Sequence, residues 1–295
     1  MMNQNEFKRR RKQLMRLMGK GGIAIVPAAA VKQRNSDVDH PYRPDSDFFY
    51  LTGFAEPEAV AILRPGNKEG EYILFCREHN PEKELWEGRR TGLEGAKGEY
   101  GADEAYPITE LERQLPLMLE SHERIYYAIG SHAEMDALLP KWIRSIRTKA
   151  RSGITAPREI IALDHHLHEL RLFKSRVEIK EMRRSADIAA KAHNRLMKSC
   201  KPGLMEFQLE AEFLHTCALK GAREPSYPTI VAGGNNACIL HYTENNAKLN
   251  DGDLALIDAG CESACYASDI TRTFPVNGKF SAAQKALYQL VLDAQ

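Results

Sequence analysis

Six cysteines in 295 residues are too sparse for a disulfide scaffold, and no two of them form a C-x-x-C pair. Cys76, Cys200, Cys217, Cys238, Cys261 and Cys265 therefore read as reduced thiols, which fits a cytoplasmic protein. Excess charge is lacking too. Forty-one Lys and Arg face 40 Asp and Glu, so no whole-molecule field draws the chain onto nucleic acid or an anionic membrane. Long apolar runs are missing. The basic run Lys8–Lys12 is followed by a stretch that Arg16 and Lys20 interrupt, and the apolar run from Gly22 to Val31 is short and carries Pro27. A signal peptide needs about 7–15 unbroken apolar residues and a membrane helix about 20. Internal repeats and low-complexity segments are absent as well. What remains is an ordinary globular composition, 43% apolar and 27% charged, with length for about two domains of roughly 150 residues.

The first half alternates short β-rich runs with helical spacing. A basic amphipathic helix is expected from Phe7 to Met18, with Leu14, Leu17 and Met18 inward. Ile23–Val26, Ala59–Leu63, Tyr72–Phe75 and Ile125–Ile129 read as buried strands, and Ile108–Glu120 and His132–Ile146 as helices. Strands alternating with helices indicate a mixed α/β domain with its own core. A boundary is expected between Thr155 and Ser175, where Ser175 and Glu178 form a capping box. The helix after it should bury Ile179, Met182, Ala186, Ala189, His193 and Leu196, and a second helix covers Leu204–Lys220. The period then changes to two. Tyr227–Ala232, Leu254–Asp258 and Asp269–Phe274 read as strands, and Ser281 and Gln284 cap a last helix.

In Leu254-Ala255-Leu256-Ile257-Asp258 the side chains alternate faces, so Leu254, Leu256 and Asp258 share one side. A carboxylate ending an apolar strand is costly unless it is paired or bound to a cation. Asp269 opens the next strand eleven positions on. If the two strands pair, both carboxylates converge on one pocket, and two hard oxygen ligands that close suit divalent ions. The competing reading has these aspartates capping turns or pairing with Arg272. His241, after an apolar pair and before a turn, is placed to polarise a carbonyl or to be a satisfied, partly buried ring. Three weaker signals carry less. Asp164–Glu169 lacks H-E-x-x-H spacing, Gly19–Gly22 lacks the phosphate-loop spacing, and Cys261 and Cys265 read as small packed thiols.

Leu256–Gly260 followed by Ser268–Pro275 resembles the first two metal-ligand strands of the pita-bread metallopeptidases. His241–Asn245, Pro225–Tyr227 and Arg171–Ser175 narrow the resemblance to aminopeptidase P (Xaa-Pro aminopeptidase) of the bacterial type, and Tyr42–Phe54 resembles that family's N-terminal domain. The implied fold is α/β (α+β): an aminopeptidase P N-terminal domain over residues 1–170, then the first half of a pita-bread (creatinase/aminopeptidase-like) catalytic domain over 171–295. The implied activity is hydrolysis of the bond before a proline in second position, by water activated on two divalent ions, typically Mn2+. By this resemblance Asp258 binds one ion, Asp269 bridges both, and His241 steadies the substrate carbonyl. Asp37 and Trp86 match residues the family lends to a neighbouring subunit's site within a homo-oligomer, often a tetramer.

The family's site has five metal ligands, and the other three, a histidine and two glutamates, lie further along the chain. Here no histidine follows Asp269, and the only later acidic residue is Asp293. The expectation is that this chain is a truncated form, inactive by itself, with exposed strand edges and an uncovered apolar face in its second half. The alternative is a non-catalytic peptide-binding or interaction module derived from such a peptidase. A prolidase or creatinase-type enzyme fits less well, because Thr243-Glu244-Asn245 follows the aminopeptidase P pattern.

Overall fold

The structure, a computed structural model, describes residues 3–295 and divides into two compact units that meet in sequence at Phe173 and Lys174. The first unit runs α1 (Gln4–Met18), β1 (Gly22–Pro27), α2 (Ser46–Thr52), β2 (Val60–Leu63), β3 (Tyr72–Cys76), α3 (Pro81–Glu87) and α4 (Gly92–Gly98). It continues through β4 (Glu104–Pro107), α5 (Leu111–Leu119), β5 (Arg124–Tyr126), α6 (Ala133–Arg147), β6 (Glu159–Ile161) and α7 (Leu163–Leu172). Its six strands form one mixed sheet in the order β4-β3-β2-β1-β5-β6. The central strands are apolar on both faces, and alternation sorts their side chains into two cores. Ala24, Val26, Leu63 and Leu74 pack with Leu14, Met18, Phe48, Leu51 and Leu167. Ile23, Ile25, Ile62 and Phe75 pack with Leu115, Leu119, Leu139 and Trp142. The result is a three-layer α/β unit.

Helix α1 buries Leu14 and Met18 as expected, but not Leu17. Leu17 is 54% exposed, and the buried stripe is Phe7, Arg10, Arg11, Leu14, Met15 and Met18. Two arginines enter the core because each is satisfied there. Arg10 donates to the Tyr50 carbonyl at 3.0 Å and lies over the Tyr50 ring, and Arg11 donates to the Leu51 carbonyl at 2.8 Å and lies over Tyr72.

The second unit runs α8 (Arg176–Ser199), α9 (Glu206–Leu219), β7 (Ile230–Gly233), β8 (Leu254–Ala259), β9 (Glu262–Ser263), β10 (Tyr266–Ala267), β11 (Ile270–Pro275) and α10 (Ala282–Ala294). The capping box at Ser175 is present, and so is the one at Ser281. Strands β11, β8 and β7 form an antiparallel sheet in that order. Ala255, Ile257, Ala259 and Val231 pack on Ile188, Ala192, Leu196, Leu209 and Phe213 of α8 and α9. Along β8 the other residues, Leu254, Leu256 and Asp258, are only half-buried. The N-terminal half of α8 also differs from expectation: Ile179, Met182 and Ala186 face outward while Glu178, Glu181 and Ser185 are buried. The hairpin β9–β10 supplies the reason. Tyr266 donates to Glu178 at 2.9 Å, Ser263 reaches Glu181 at 3.4 Å, and the Ser185 hydroxyl donates to the Cys261 carbonyl at 2.5 Å. A polar stripe is buried because the hairpin has polar partners for it.

A carboxylate pair as candidate active site

Strand pairing decides whether two acids eleven residues apart can meet. β8 and β11 pair antiparallel with Asp258 opposite Thr271, so Asp269, two residues before Thr271, points to the same face one step along the diagonal. The segment between the two acids is held at its neck. Ser268 N–H donates to the Cys261 carbonyl and Cys261 N–H donates to the Ser268 hydroxyl, both at 3.0 Å. Gly260 makes the neck possible. A Cβ there would stand 1.7 Å from the Ser268 carbonyl oxygen, inside any allowed contact. Next to it, the Ser226 N–H donates to the Gly260 carbonyl and the Ser226 hydroxyl donates to the Ser268 carbonyl at 2.8 Å.

Ser226 brings Tyr227 to the pair. The Tyr227 hydroxyl lies 2.5 Å from Asp258 Oδ1 and 3.0 Å from Asp269 Oδ1, one proton facing two acceptors. The two carboxylate oxygens can be no farther apart than those two lengths end to end. Burial, and then the two carboxylates, push the Tyr227 phenol well above its ordinary pKa, so it remains a donor. In the sequence Tyr227 stands out only as part of a strand and of a family segment, not as a site residue. Its signal is a tyrosine just ahead of a strand that starts beside Asp258.

The loop between β7 and β8 lies over the carboxylate face. Ile230, opposite Asp258 in register, packs with Ala232, Leu256 and the ring of Tyr242. Tyr242 is fixed by its hydroxyl, which donates to Glu206 at 2.8 Å, and its neighbour His241 is exposed in the turn. Asn245 adopts φ 48°, is buried, and pins the loop to β7 by accepting from Val231 N–H and donating to the Thr229 carbonyl. His193, on α8, places Nε2 3.1 Å from the Ala259 carbonyl, next to Asp258; burial holds this imidazole below its usual pKa.

Asp37 and Trp86 belong to the first unit. Asp37 is exposed in a turn closed by Asn35, which accepts from Asp37 and Val38 N–H. Trp86 is 87% exposed on α3, a helix with no buried residue. Polar contacts hold that helix: Glu87 pairs with Arg90 at 2.9 Å and with Arg77 at 3.9 Å.

The donor set at the carboxylate pair fits a divalent cation in part. Two hard oxygen groups share one face, and the half-exposed setting leaves room for water ligands. No group of three or more His, Cys, Asp or Glu able to hold a metal occurs among the described residues. A divalent ion held at Asp258 and Asp269 would need further ligands beyond these two.

A family model for the aminopeptidase P N-terminal domain matches residues 7–126, and one for metallopeptidase family M24 matches residues 180–295. The Xaa-Pro aminopeptidase of Escherichia coli (strain K12) is 45% identical over 294 residues, covering 99% of this chain and 67% of that protein. The Xaa-Pro aminopeptidase of Haemophilus influenzae is 43% identical, with 98% of this chain and 65% of that protein covered. Among solved structures, the Pseudomonas aeruginosa aminopeptidase PepP superposes with a TM-score of 0.98 at 56% identity, over 99% of this chain and 66% of that one. Zinc-substituted Escherichia coli aminopeptidase P in complex with product superposes at 0.96 and 45% identity, over 99% of this chain and 67% of that one. The chain thus spans about two thirds of the length of the relatives it matches. Among the described residues, no helix is long and apolar enough to cross a membrane.

Proposed function

The chain belongs to the Xaa-Pro aminopeptidase family of M24 metallopeptidases, and on that premise we propose that it carries the first two metal ligands of a dinuclear peptidase site. The observation that carries the proposal is the Asp258–Tyr227–Asp269 arrangement on one sheet face. Asp258 and Asp269 would hold the divalent ions, Asp258 one of them and Asp269 a shared position, with Mn2+ as the native metal. Such a pair, when bound, supplies Lewis acidity that lowers the pKa of a shared water. The protein's own contribution is orientation. Gly260 and the Cys261–Ser268 neck set the spacing of the carboxylates, and Tyr227 holds them by its hydroxyl. His241 steadies the carbonyl of a peptide with proline in second position.

In the same proposal, residues 1–170 form the N-terminal domain and 171–295 the first part of the catalytic domain. The assembly is a homo-oligomer in the cytoplasm, and Asp37 and Trp86 serve a neighbouring subunit's substrate pocket. Two carboxylates alone bind divalent ions weakly. Purified residues 1–295 with Mn2+ are therefore expected to release no N-terminal residue from an Xaa-Pro peptide above background. They are also expected to bind Mn2+ weakly by calorimetry, and Asp258→Asn to abolish that binding. Unchanged binding in the variant refutes the ligand assignment, and robust turnover refutes the two-ligand account of this polypeptide. Metal-independent binding of an Xaa-Pro peptide, retained in Asp258→Asn, would instead support a peptide-binding module without catalysis.

A further inference from the structure

We propose that Glu206 is a positioning residue, its carboxylate fixing the loop that carries His241 over the sheet face of Asp258. Glu206 opens α9 and is fully buried. Its ion pairs are none among the described residues; every partner is a hydrogen-bond donor. Oε1 accepts from Gly233 N–H at 2.8 Å and from the Asn236 amide at 3.1 Å, where the chain leaves β7. Oε2 accepts from the Tyr242 hydroxyl at 2.8 Å and from Ala247 N–H at 2.9 Å, where the chain returns. The Glu206 N–H itself donates to the Ala247 carbonyl at 2.9 Å.

One carboxylate thus ties both ends of a single loop and its one buried aromatic anchor. A buried charge is tolerated when donors surround it, and each such bond exceeds a neutral one in strength. The loop has no strand of its own between Gly233 and Leu254, so these bonds, with those of Asn245, take the place of a ladder. His241 directly precedes the anchored Tyr242, and its course therefore follows from where Glu206 holds that hydroxyl. The inference rests on reading His241 as a substrate-facing side chain, but its test does not require turnover.

Glu206→Gln keeps the shape and replaces one oxygen by an NH2 group, which cannot accept from the donors on its side. In the 295-residue chain the expected result is amide exchange faster by roughly tenfold or more at Gly233 or Ala247. It is accompanied by a shift of the His241 ring resonances, while the Tyr227 ring signals stay as in the parent. A merely structural role would lower stability and leave the His241 signals in place. Tyr242→Phe removes one bond to the same oxygen and should move the His241 resonances with little effect on folding. Unchanged His241 resonances in folded Glu206→Gln, or in Tyr242→Phe should Glu206→Gln fail to fold, overturn the proposal. Failure of the catalytic reading of His241 would leave all these signals as described, so the two ideas fall separately.

Discussion

Gly260→Ala tests whether the carboxylate pair depends on close approach rather than on backbone freedom. Gly260 lies outside the positive-φ glycines, so alanine meets no backbone objection. The obstacle is contact: the new methyl would stand 1.7 Å from the Ser268 carbonyl oxygen, 2.6 Å from its carbon and 3.0 Å from Ser226 Oγ. Two of these neighbours are backbone and cannot rotate away. Relief requires the two sides of the neck to part by about 1.8 Å, given ordinary carbon contacts of about 3.5 Å. That stretches the hydrogen bonds of the neck: Ser226 to Gly260, Ser226 to Ser268, and those between Cys261 and Ser268. Loss of two or three of them at about 1 kcal/mol each, plus about 1–3 kcal/mol of overpacking, gives roughly 3–6 kcal/mol.

The assay is urea unfolding followed by two probes. Both tryptophans, Trp86 and Trp142, lie in the first unit, so their fluorescence follows that unit, while far-UV circular dichroism follows both. The expected outcome is an early dichroism transition with the fluorescence transition in place, and an altered Tyr227 ring environment by NMR. Gly278→Ala is the control. Its φ is +77° with open space around it, and it should cost only about 1 kcal/mol. A loss under 1 kcal/mol at Gly260, with Tyr227 undisturbed, would refute the close-approach argument.

Tyr227→Phe removes the donor shared by both carboxylates and is expected to destabilise the second unit by about 1–2 kcal/mol at neutral pH; an unchanged dichroism midpoint would contradict it. Burial raises the Glu206 pKa, but the donors Gly233, Asn236, Ala247 and Tyr242 together outweigh it and hold the carboxyl below its unfolded value near 4.3. Its stabilising contribution is therefore present above about pH 5 and lost as pH falls through the depressed folded value. The dichroism midpoint should drop over that acid range, and less so in Glu206→Gln. Residues 1–173, which hold both cores of the first unit, should melt cooperatively when expressed alone; a broad, non-cooperative transition would deny that unit its autonomy.

The strand face of Asp258 was legible in the sequence because a period of two leaves little choice once Leu254, Leu256 and Ile257 are seen. Pairing with the Asp269 strand followed from the short connection between them. Helix faces were less legible. Ile179 and Met182 look inward on a hydrophobic count, yet Glu178, Glu181 and Ser185 are the buried side, because the β9–β10 hairpin offers them partners that no local pattern reveals. Arg10 and Arg11 hid in a charge run for the same reason, their acceptors lying 40 residues away. Tyr227 and Glu206 were missed because their roles consist of long-range hydrogen bonds, which spacing along a helix or strand does not encode.

Bringing two carboxylates to one hydroxyl works against stability wherever no cation is bound. At the high effective dielectric of a half-exposed site their repulsion is about 1 kcal/mol. Asp269→Asn keeps an oxygen to accept from Tyr227 and removes that repulsion. The metal-free chain should thus be as stable as the parent or more so, by up to about 1 kcal/mol, while the rise in melting temperature that excess Mn2+ gives the parent should vanish. A purely structural Asp269 predicts the reverse: lower stability without metal, and an unaltered response to Mn2+. The opposite signs make the comparison decisive, since only a residue kept for ligand binding leaves the empty fold better off when its charge is removed.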